Sequence, residues 1–202
     1  MTRDASPRTE RLVAGAKAGD PEALQALYDR YRHRVLSVVR VRMGSLLRSR
    51  MESQDLVQSV MLESLKDLGS FEYRTEGAFL HWLSTLAERK IRDKVDYLSA
   101  KRRDAGAEAE LPAGDEEPLA ETRLARSPSQ LAAQAEELLR LEEAIRRLPK
   151  EQTEMLVMAK LEGLSYGEIA GLTGKSEAAV RMLVVRAITA LTALMKAPGP
   201  AA

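Results

Sequence analysis

The sequence predicts an all-α fold: two small helical domains joined by a flexible acidic linker, the second containing a helix-turn-helix. Apolar residues recur at helical spacing from residue 12 onward. Aromatic residues make up only 4% of the chain, and the period-2 alternation typical of strands is rare. Composition also changes sharply along the chain. We therefore predict a disordered N-terminus (1–11), a first domain (12–103), a linker (104–130), a second domain (131–196) and a disordered tail (197–202).

The overall net charge of +1 conceals an uneven distribution of charge along the chain. Residues 1–103 carry 20 basic and 14 acidic side chains, whereas residues 104–130 carry 2 basic and 7 acidic ones. Residues 131–202 carry 9 of each. A net charge near zero argues against indiscriminate coating of DNA, while a basic first block suits a segment that lies along phosphates.

Several classes of function are disfavoured by composition. The chain has no cysteine, which excludes disulfides and thiolate metal sites, and we interpret its two histidines, His33 and His81, as bystanders. There is no pairing of nucleophile and base, no phosphate-cradling glycine loop and no metal-ligand cluster, so we expect no enzyme, no metal and no cofactor. No apolar run approaches a membrane span and no signal peptide is evident, so the prediction is a cytoplasmic protein without membrane contact.

The first domain begins with a recognisable helix start. Asp20-Pro21-Glu22 places an N-capping aspartate before a proline at the first helical position. A single apolar stripe is expected to follow, formed by Leu24, Leu27, Tyr28, Tyr31, Val35, Val38 and Val39. Ser53 is the expected cap of the next helix, which has Asp55 in its first turn and ends before Gly69.

A loop over residues 69–76 leads to a long helix, expected over about 77–103. Its apolar stripe begins with Phe79, Trp82, Leu83 and Leu86, and this spacing predicts Trp82 as a core residue. Its polar side is basic and carries Arg89, Lys90, Arg92 and Lys94.

The linker is rich in Ala, Glu, Gly and Pro and has almost no large apolar residues, which is typical of flexible chain. Helical spacing resumes at Leu138, stops at Pro149 and restarts as far as Gly163. The second domain therefore begins with two helices.

The final stretch predicts a helix-turn-helix. Ser165 and Glu168 have the spacing of a capping box, which opens a short helix that stops at Gly174. Ser176 is expected to cap a longer helix, and the combination is typical of DNA-binding proteins. An ordinary helical hairpin with solvent-exposed arginines is the structural alternative.

A helical wheel divides the longer helix into two faces. The residues expected to face inward are Val180, Leu183, Val184, Ala187, Ile188 and Leu191. The outward face has Ala178, Met182, Val185 and Thr189 at its centre, with Arg181 and Arg186 on its flanks. Such a face would touch thymine methyls in the middle and phosphates or guanine at its edges.

Three segments together carry a resemblance to a known family. They read SQDLVQSVMLESL, FLHWLSTLAERKIRDKV and LPKEQTEMLVMAKLEGLSYGEIAGLTGKSEAAVRMLVVRA. In this order they resemble the extracytoplasmic-function (ECF) sigma factors, over roughly residues 12–103 and 136–195. The resemblance implies a two-domain factor that binds the RNA polymerase core, at its clamp coiled coil and its flap, and directs promoter recognition at transcription initiation.

The resemblance also implies which residues make these contacts. The polymerase clamp would be bound by Asp55, Leu56 and Gln58. The minus-10 element would be engaged by Phe71, Tyr73, Arg74, Arg89, Lys90 and Lys94. The minus-35 element would be engaged by Lys175, Ser176, Glu177, Ala178, Arg181, Met182 and Arg186. Leu183, where the family usually has arginine, is interpreted as a packing residue, and the linker would occupy the RNA-exit region of the polymerase.

Two further interpretations stay open at this point. A stand-alone helix-turn-helix regulator would explain residues 165–191 equally well, but not the first domain. An all-helical adaptor or anti-sigma partner is the second alternative. If the chain is a sigma factor, an anti-sigma factor is an open further partner.

Overall fold

The computed structural model describes residues 8–104 and 128–196, and within these ranges the regular structure is entirely helical. The all-α prediction is therefore confirmed. The α-helices are α1 (Thr9–Lys17), α2 (Pro21–Arg42), α3 (Ser45–Arg48), α4 (Ser53–Asp67), α5 (Glu76–Asp104), α6 (Pro128–Arg146), α7 (Lys150–Leu156), α8 (Tyr166–Thr173) and α9 (Glu177–Lys196).

The helices extend beyond the predicted boundaries. Helix α1 begins at Thr9, inside the segment predicted to be disordered. Helix α5 continues to Asp104, and α6 begins at Pro128, so both ends of the predicted linker are helical. Residues 105–127, which make up the rest of that linker, and residues 197–202 of the predicted tail lie outside the described residues.

Two of the predicted helix starts had different outcomes. The Asp20 carboxylate accepts a hydrogen bond from the backbone N–H of Glu22 at 2.9 Å, with Pro21 as the first helical residue, as predicted. Ser53 is not the cap of α4, because it is itself helical and buried, and the N-cap position is occupied by Glu52 without a side-chain bond. The pattern correctly indicated a helix there, but the side chain that looked like a cap packs inward.

The first domain packs α1, α2, α4 and α5 around one core. Tyr31 lies at its centre, fully buried, with its hydroxyl 2.8 Å from that of Thr9 and its ring edge-to-face with Phe79. Burial raises the pKa of Tyr31 to about 12. The surrounding core side chains include Leu27, Val35, Val39, Leu56, Val60, Leu80, Leu83 and Leu86.

In the second domain α7 continues as a π-helical segment, Val157–Glu162, and ends at Gly163. Gly163 has φ +78°, a left-handed conformation that glycine adopts without penalty, so it terminates the helix and turns the chain towards α8. Helices α8 and α9 then pack on α7 through a core of Met155, Met158, Leu164, Ile169, Val180 and Val184.

The two domains pack directly against each other. Val38 and Val41 of α2 are buried among Ile145, Leu148 and Leu156 of the second domain. The prediction that Val38 shares one stripe with Val35 and Val39 is therefore wrong. The carboxyl-terminal half of α2 is apolar on two faces, and each face packs against a different domain.

Helix α9 has a length and apolar composition that would suffice to cross a membrane, and it is the one described helix with these properties. By length and composition alone, the prediction that no apolar run approaches the length of a membrane-spanning helix is therefore wrong. In the structure, however, α9 packs on the second domain through Val180, Val184 and Ala187, which are all fully buried.

Candidate nucleic-acid interface

The helix-turn-helix is present at the predicted position. The Ser165 hydroxyl accepts from the Glu168 backbone N–H at 3.2 Å, and the Ser165 N–H donates to the Glu168 carboxylate at 2.8 Å, which completes the capping box. The Ser165 backbone N–H and the Ser165 hydroxyl both donate to the Glu168 carboxylate, and these two hydrogen bonds lower the pKa of Glu168 below its usual value. Gly174, with φ +68°, ends α8, and the Ser176 hydroxyl accepts from the Ala179 N–H at the start of α9.

The exposed face of α9 agrees with most of the helical-wheel prediction. Met182 and Val185 are 53% and 51% exposed, and Ala178 and Thr189 are exposed as well. Leu183 is half-buried against the core of the second domain, as expected for a packing residue. Ile188 was predicted to face inward but is 40% exposed, so the apolar outward surface extends one turn further along α9.

Basic and acidic side chains surround this face. Arg181 is exposed and lies over the ring of Tyr166, with its guanidinium carbon 5.8 Å from the ring centroid, while Arg186 is exposed on the other flank. Lys175 is half-buried and its ammonium lies 2.7 Å from the carboxylate of Glu151. Glu177 is exposed and its carboxylate lies close to Gly167 of α8. A Cβ added at Gly167 would be 2.8 Å from that carboxylate.

The predicted minus-10 loop contains a 3-10 turn, Leu68–Ser70, followed by chain without regular structure up to α5. Arg74 is 78% exposed on this loop, with its guanidinium 3.9 Å from the carboxylate of Glu72, whereas Phe71 and Tyr73 are half-buried against the core of the first domain. Burial also raises the pKa of Tyr73. The loop ends at Thr75, whose hydroxyl accepts from the Ala78 N–H at 3.0 Å and so caps α5.

An open depression of about 390 Å³ lies beside this loop. Phe71 and Trp82 contact each other in it, with ring centroids 4.8 Å apart, and Arg74 lies at its edge. Trp82 packs partly against the core, but it is half-exposed, so its prediction as a simple core residue is wrong. Helical spacing cannot show that the end of a stripe opens to solvent, so the sequence did not indicate that Trp82 lines this depression.

The basic residues of α5 differ in their availability. Lys90 lies 2.8 Å from the carboxylate of Glu63 on α4, and its hydrogen bond lowers the pKa of Glu63. Arg89 lies 3.7 Å from the carboxylate of Asp67, and Lys94 is exposed. Lys90 and Arg89 would have to exchange these carboxylates for phosphates in order to contact DNA, whereas Lys94 is exposed for such a contact.

Helix α4 presents Asp55 and Gln58 to solvent, one turn apart on one face. Leu56 is completely buried in the core of the first domain. Its predicted direct contact with a partner is therefore corrected: Leu56 anchors the helix that carries the two exposed polar groups.

The interpretation of His81 as a bystander is wrong. Its Nδ1 lies 2.6 Å from the buried carboxylate of Glu162 in the second domain. Among the described residues, no group of three or more His, Asp or Glu side chains is placed to hold a metal ion.

The fold thus defines a protein class with two helical domains, one carrying a helix-turn-helix and the other an aromatic depression beside an exposed basic loop. Comparisons with known families agree with this division. The family models for sigma-70 region 2 and sigma-70 region 4 match residues 27–103 and 138–191. The ECF RNA polymerase sigma factor SigD of Mycobacterium bovis is 33% identical over 186 residues, covering 91% of this chain and 82% of SigD. The chain belongs to the ECF sigma factor family, whose members direct transcription initiation by RNA polymerase.

Solved structures share the fold. The structure of CnrH in complex with the cytosolic domain of CnrY has a TM-score of 0.57 at 22% identity and covers 95% of this chain and 97% of that chain. The sigma factor RpoE of Bartonella quintana, in complex with the anti-sigma factor NepR, has a TM-score of 0.50 at 18% identity, covering 84% of this chain and 96% of that one.

Family membership decides between the alternatives raised by the sequence. A stand-alone regulator leaves the first domain unexplained, whereas the region 2 match covers it from α2 to α5. Membership of the sigma factor family also decides against an all-helical adaptor or an anti-sigma partner. The resemblance inferred from the three sequence segments is confirmed.

Proposed function

We propose that this sigma factor divides its contacts among three surfaces: the exposed face of α4 for the polymerase clamp, the Phe71–Trp82 depression with the neighbouring loop for the minus-10 element, and the outward face of α9 for the minus-35 element. The observation that carries the proposal is the depression, because two aromatic side chains and an exposed arginine meet there. Aromatic rings and arginine are the side chains that bind unstacked bases and their phosphates.

The minus-10 contact would use one base of the non-template strand. A flipped base would stack on Trp82 or Phe71, which lie side by side in an open space of about 390 Å³. Arg74 would neutralise the adjacent phosphate, and Lys94 would extend the phosphate path along α5. Tyr73, Arg89 and Lys90 would support the same strand, the last two after leaving Asp67 and Glu63.

The minus-35 contact would combine apolar and charged groups. Met182 and Val185 at the centre of α9 would lie against thymine methyls in the major groove, beside the small side chain of Ala178. Arg181 and Arg186 would reach a guanine edge or a phosphate from either side. Lys175, Ser176 and Glu177, at the amino-terminal end of α9, would complete the contact.

The polymerase contact would depend on Asp55 and Gln58, whose carboxylate and amide form paired hydrogen-bonding groups on one helical face. The second domain would bind the polymerase flap. RNA synthesis would remain the chemistry of the polymerase core, so the chain would have no catalytic step, cofactor or metal of its own, and it would act in the cytoplasm. An anti-sigma factor is a further proposed partner, because the RpoE relative was solved with one.

The experiment that tests the proposal mixes the full chain with bacterial core polymerase and separates the complex by gel filtration. The proposal predicts comigration with core for the wild type and for a Gln54→Ala control, in which the substituted residue is exposed on the same helix. It predicts free chain for the Asp55→Ala, Gln58→Ala double variant. Comigration of that double variant would refute the assignment of the clamp surface.

A further inference from the structure

The first helical residue of α9 is an acidic one, Glu177. The Ser176 hydroxyl accepts from the Ala179 N–H at 3.2 Å and caps the helix, so Glu177 occupies the first position after the cap. Its side chain is exposed. In a helix-turn-helix, the residues at the amino-terminal end of the second helix are the ones that contact base edges in the major groove. Glu177 therefore lies where a side chain contributes to base recognition.

The carboxylate of Glu177 lies against α8 at a position without a side chain. A Cβ added at Gly167 would be 2.8 Å from Oε1 of Glu177 and 3.6 Å from its carboxyl carbon. Apart from the chain neighbours and the helix backbone of Gly167, no other described atom lies within 4 Å of that point. The space that this glycine leaves open is therefore occupied by the Glu177 carboxylate alone.

The basic residues nearest to Glu177 in sequence are engaged elsewhere. Arg181 lies one turn further along α9, at the spacing that favours an ion pair, but its guanidinium carbon lies 5.8 Å from the centroid of the Tyr166 ring. Lys175 pairs with Glu151 at 2.7 Å. Among the described residues, Glu177 forms no ion pair. The first turn of α8, with its aromatic ring and its glycine, thus holds the acid and the arginine of α9 apart.

An unpaired carboxylate at this position selects among the bases. A carboxylate only accepts hydrogen bonds, and the major-groove edges of guanine and thymine also present acceptors. Cytosine presents the N4 amino group, which is the usual partner of glutamate in the major groove. Adenine presents a donor beside an acceptor, a pattern that suits a carboxamide better than a carboxylate. The chemistry of Glu177 therefore favours cytosine.

We propose that Glu177 recognises a cytosine of the minus-35 element and that Gly167 is the residue that positions its carboxylate. This role rests on the proposed contact of α9 with that element. The space at Gly167 sets the direction of the Glu177 side chain before DNA binds, so less conformational freedom is lost on contact. A Cβ at Gly167 would meet only the end of a flexible side chain, so it would displace the carboxylate without disturbing α8.

The test uses the full chain bound to bacterial core polymerase and a pool of promoter duplexes with a randomised minus-35 element. Duplexes retained by the complex are sequenced. For the wild type we expect one position at which cytosine is preferred by about 5- to 150-fold, the range of one good base contact. Glu177→Gln should replace this preference by one for adenine, because a carboxamide both donates and accepts. Preferences at the other positions should stay the same.

Two glycines of α8 provide a matched pair of variants. Gly167→Ala should lower the cytosine preference at the position that responds to Glu177→Gln. Gly171→Ala adds the same methyl group to the same helix, where it would meet nothing within 4 Å, and should select as the wild type does. Neither variant should lower the midpoint of urea unfolding, because alanine forms helices better than glycine does. This measurement separates a displaced carboxylate from a damaged helix.

The outcomes distinguish this role from the proposed function. Selection that is unchanged in Glu177→Gln, or a responding position that carries a base other than cytosine in the wild type, would overturn the recognition of cytosine, while the minus-35 contact would stand. Equal selection by Gly167→Ala and Gly171→Ala would overturn the positioning role of Gly167. A wild-type complex with core that selects no sequence in the randomised element would refute the minus-35 contact itself, and the role of Glu177 with it.

Discussion

Phe71 and Trp82 lie with their ring centroids 4.8 Å apart and their planes inclined by 31° at the wall of an open depression. Phe71 belongs to the loop after α4 and Trp82 to the second turn of α5, so the pair joins two elements of the proposed minus-10 surface. Phe79 packs against both rings from the core side. The pair is therefore held in place from within while its outer side stays open to a base.

Trp82 is the sole tryptophan of the chain, so its fluorescence reports directly on this surface. In the complex with core polymerase, the emission of Trp82 should change when the non-template strand of a minus-10 element is added. It should not change when a duplex that cannot open is added instead. The Trp82→Ala variant should lose about 1–3 kcal/mol of affinity for the single strand, the range measured for one stacked base. Trp82→Phe should recover part of this loss. Equal affinity in all three chains would contradict the stacking role.

Arg181 is positioned by the ring of Tyr166 on the flank of α9. Arg181→Ala should weaken minus-35 binding by about 1–3 kcal/mol and relax specificity at one base pair if the side chain reads guanine. It should instead reduce the salt dependence of binding if the side chain contacts phosphate. Anisotropy titrations at two salt concentrations distinguish these cases. Thr192→Ala, exposed further along the same helix, is the control, and unchanged binding of Arg181→Ala at both salt concentrations would exclude any role for this arginine.

Asp55 and Gln58 should contribute to polymerase affinity without contributing to the fold. Hydrogen bonds that involve a charged group are worth about 1.5–3 kcal/mol, so loss of both side chains should weaken binding of core by more than about tenfold. The midpoint of urea unfolding should stay close to that of the wild type, because both side chains are exposed. A large drop in that midpoint would show that the two residues act through folding rather than through contact.

Glu168 should make stability depend on pH in the acid range. Its pKa is lowered in the folded state, because Ser165 donates hydrogen bonds to its carboxylate. The ionised Glu168 carboxylate therefore contributes fully to the free energy of unfolding above its usual pKa of 4.5. This contribution is lost as the pH falls through the lower pKa that Glu168 has in the folded state. Glu168→Gln, which keeps an acceptor for the capping box, should show a weaker loss of stability between pH 5 and the acid transition. Urea unfolding at a series of pH values measures this difference, and identical acid profiles would contradict it.

Local patterns in the sequence were sufficient for most of the fold. The cap at Asp20 and the capping box at Ser165 predicted helix starts that the structure confirms, because each depends on residues within one turn. Leu183 was correctly interpreted as a packing residue from its position on the wheel. The residues proposed for DNA and polymerase contact came from the family resemblance. The structure shows which of them are exposed to solvent.

Predictions failed where the environment is set by distant parts of the chain. Val38 and His81 face the second domain. Glu162, the partner of His81, lies 81 residues further along the chain, and Ile145 is more distant still from Val38, so no local spacing could indicate these partners. Trp82 is on the expected stripe, but the loop beside it leaves part of the ring open. The prediction for Leu56 failed for a different reason: its contact was carried over from the family resemblance, although a helix turns adjacent residues in different directions, and Leu56 is buried while Asp55 is exposed.

Direction of transcription initiation by this chain is tested by mapping transcript starts after reconstitution of the full chain with bacterial core polymerase on genomic DNA. We expect starts that appear only when the chain is present and that share one sequence element near minus-10 and another near minus-35. Starts that are the same with and without the chain, despite a stable complex with core, would contradict it.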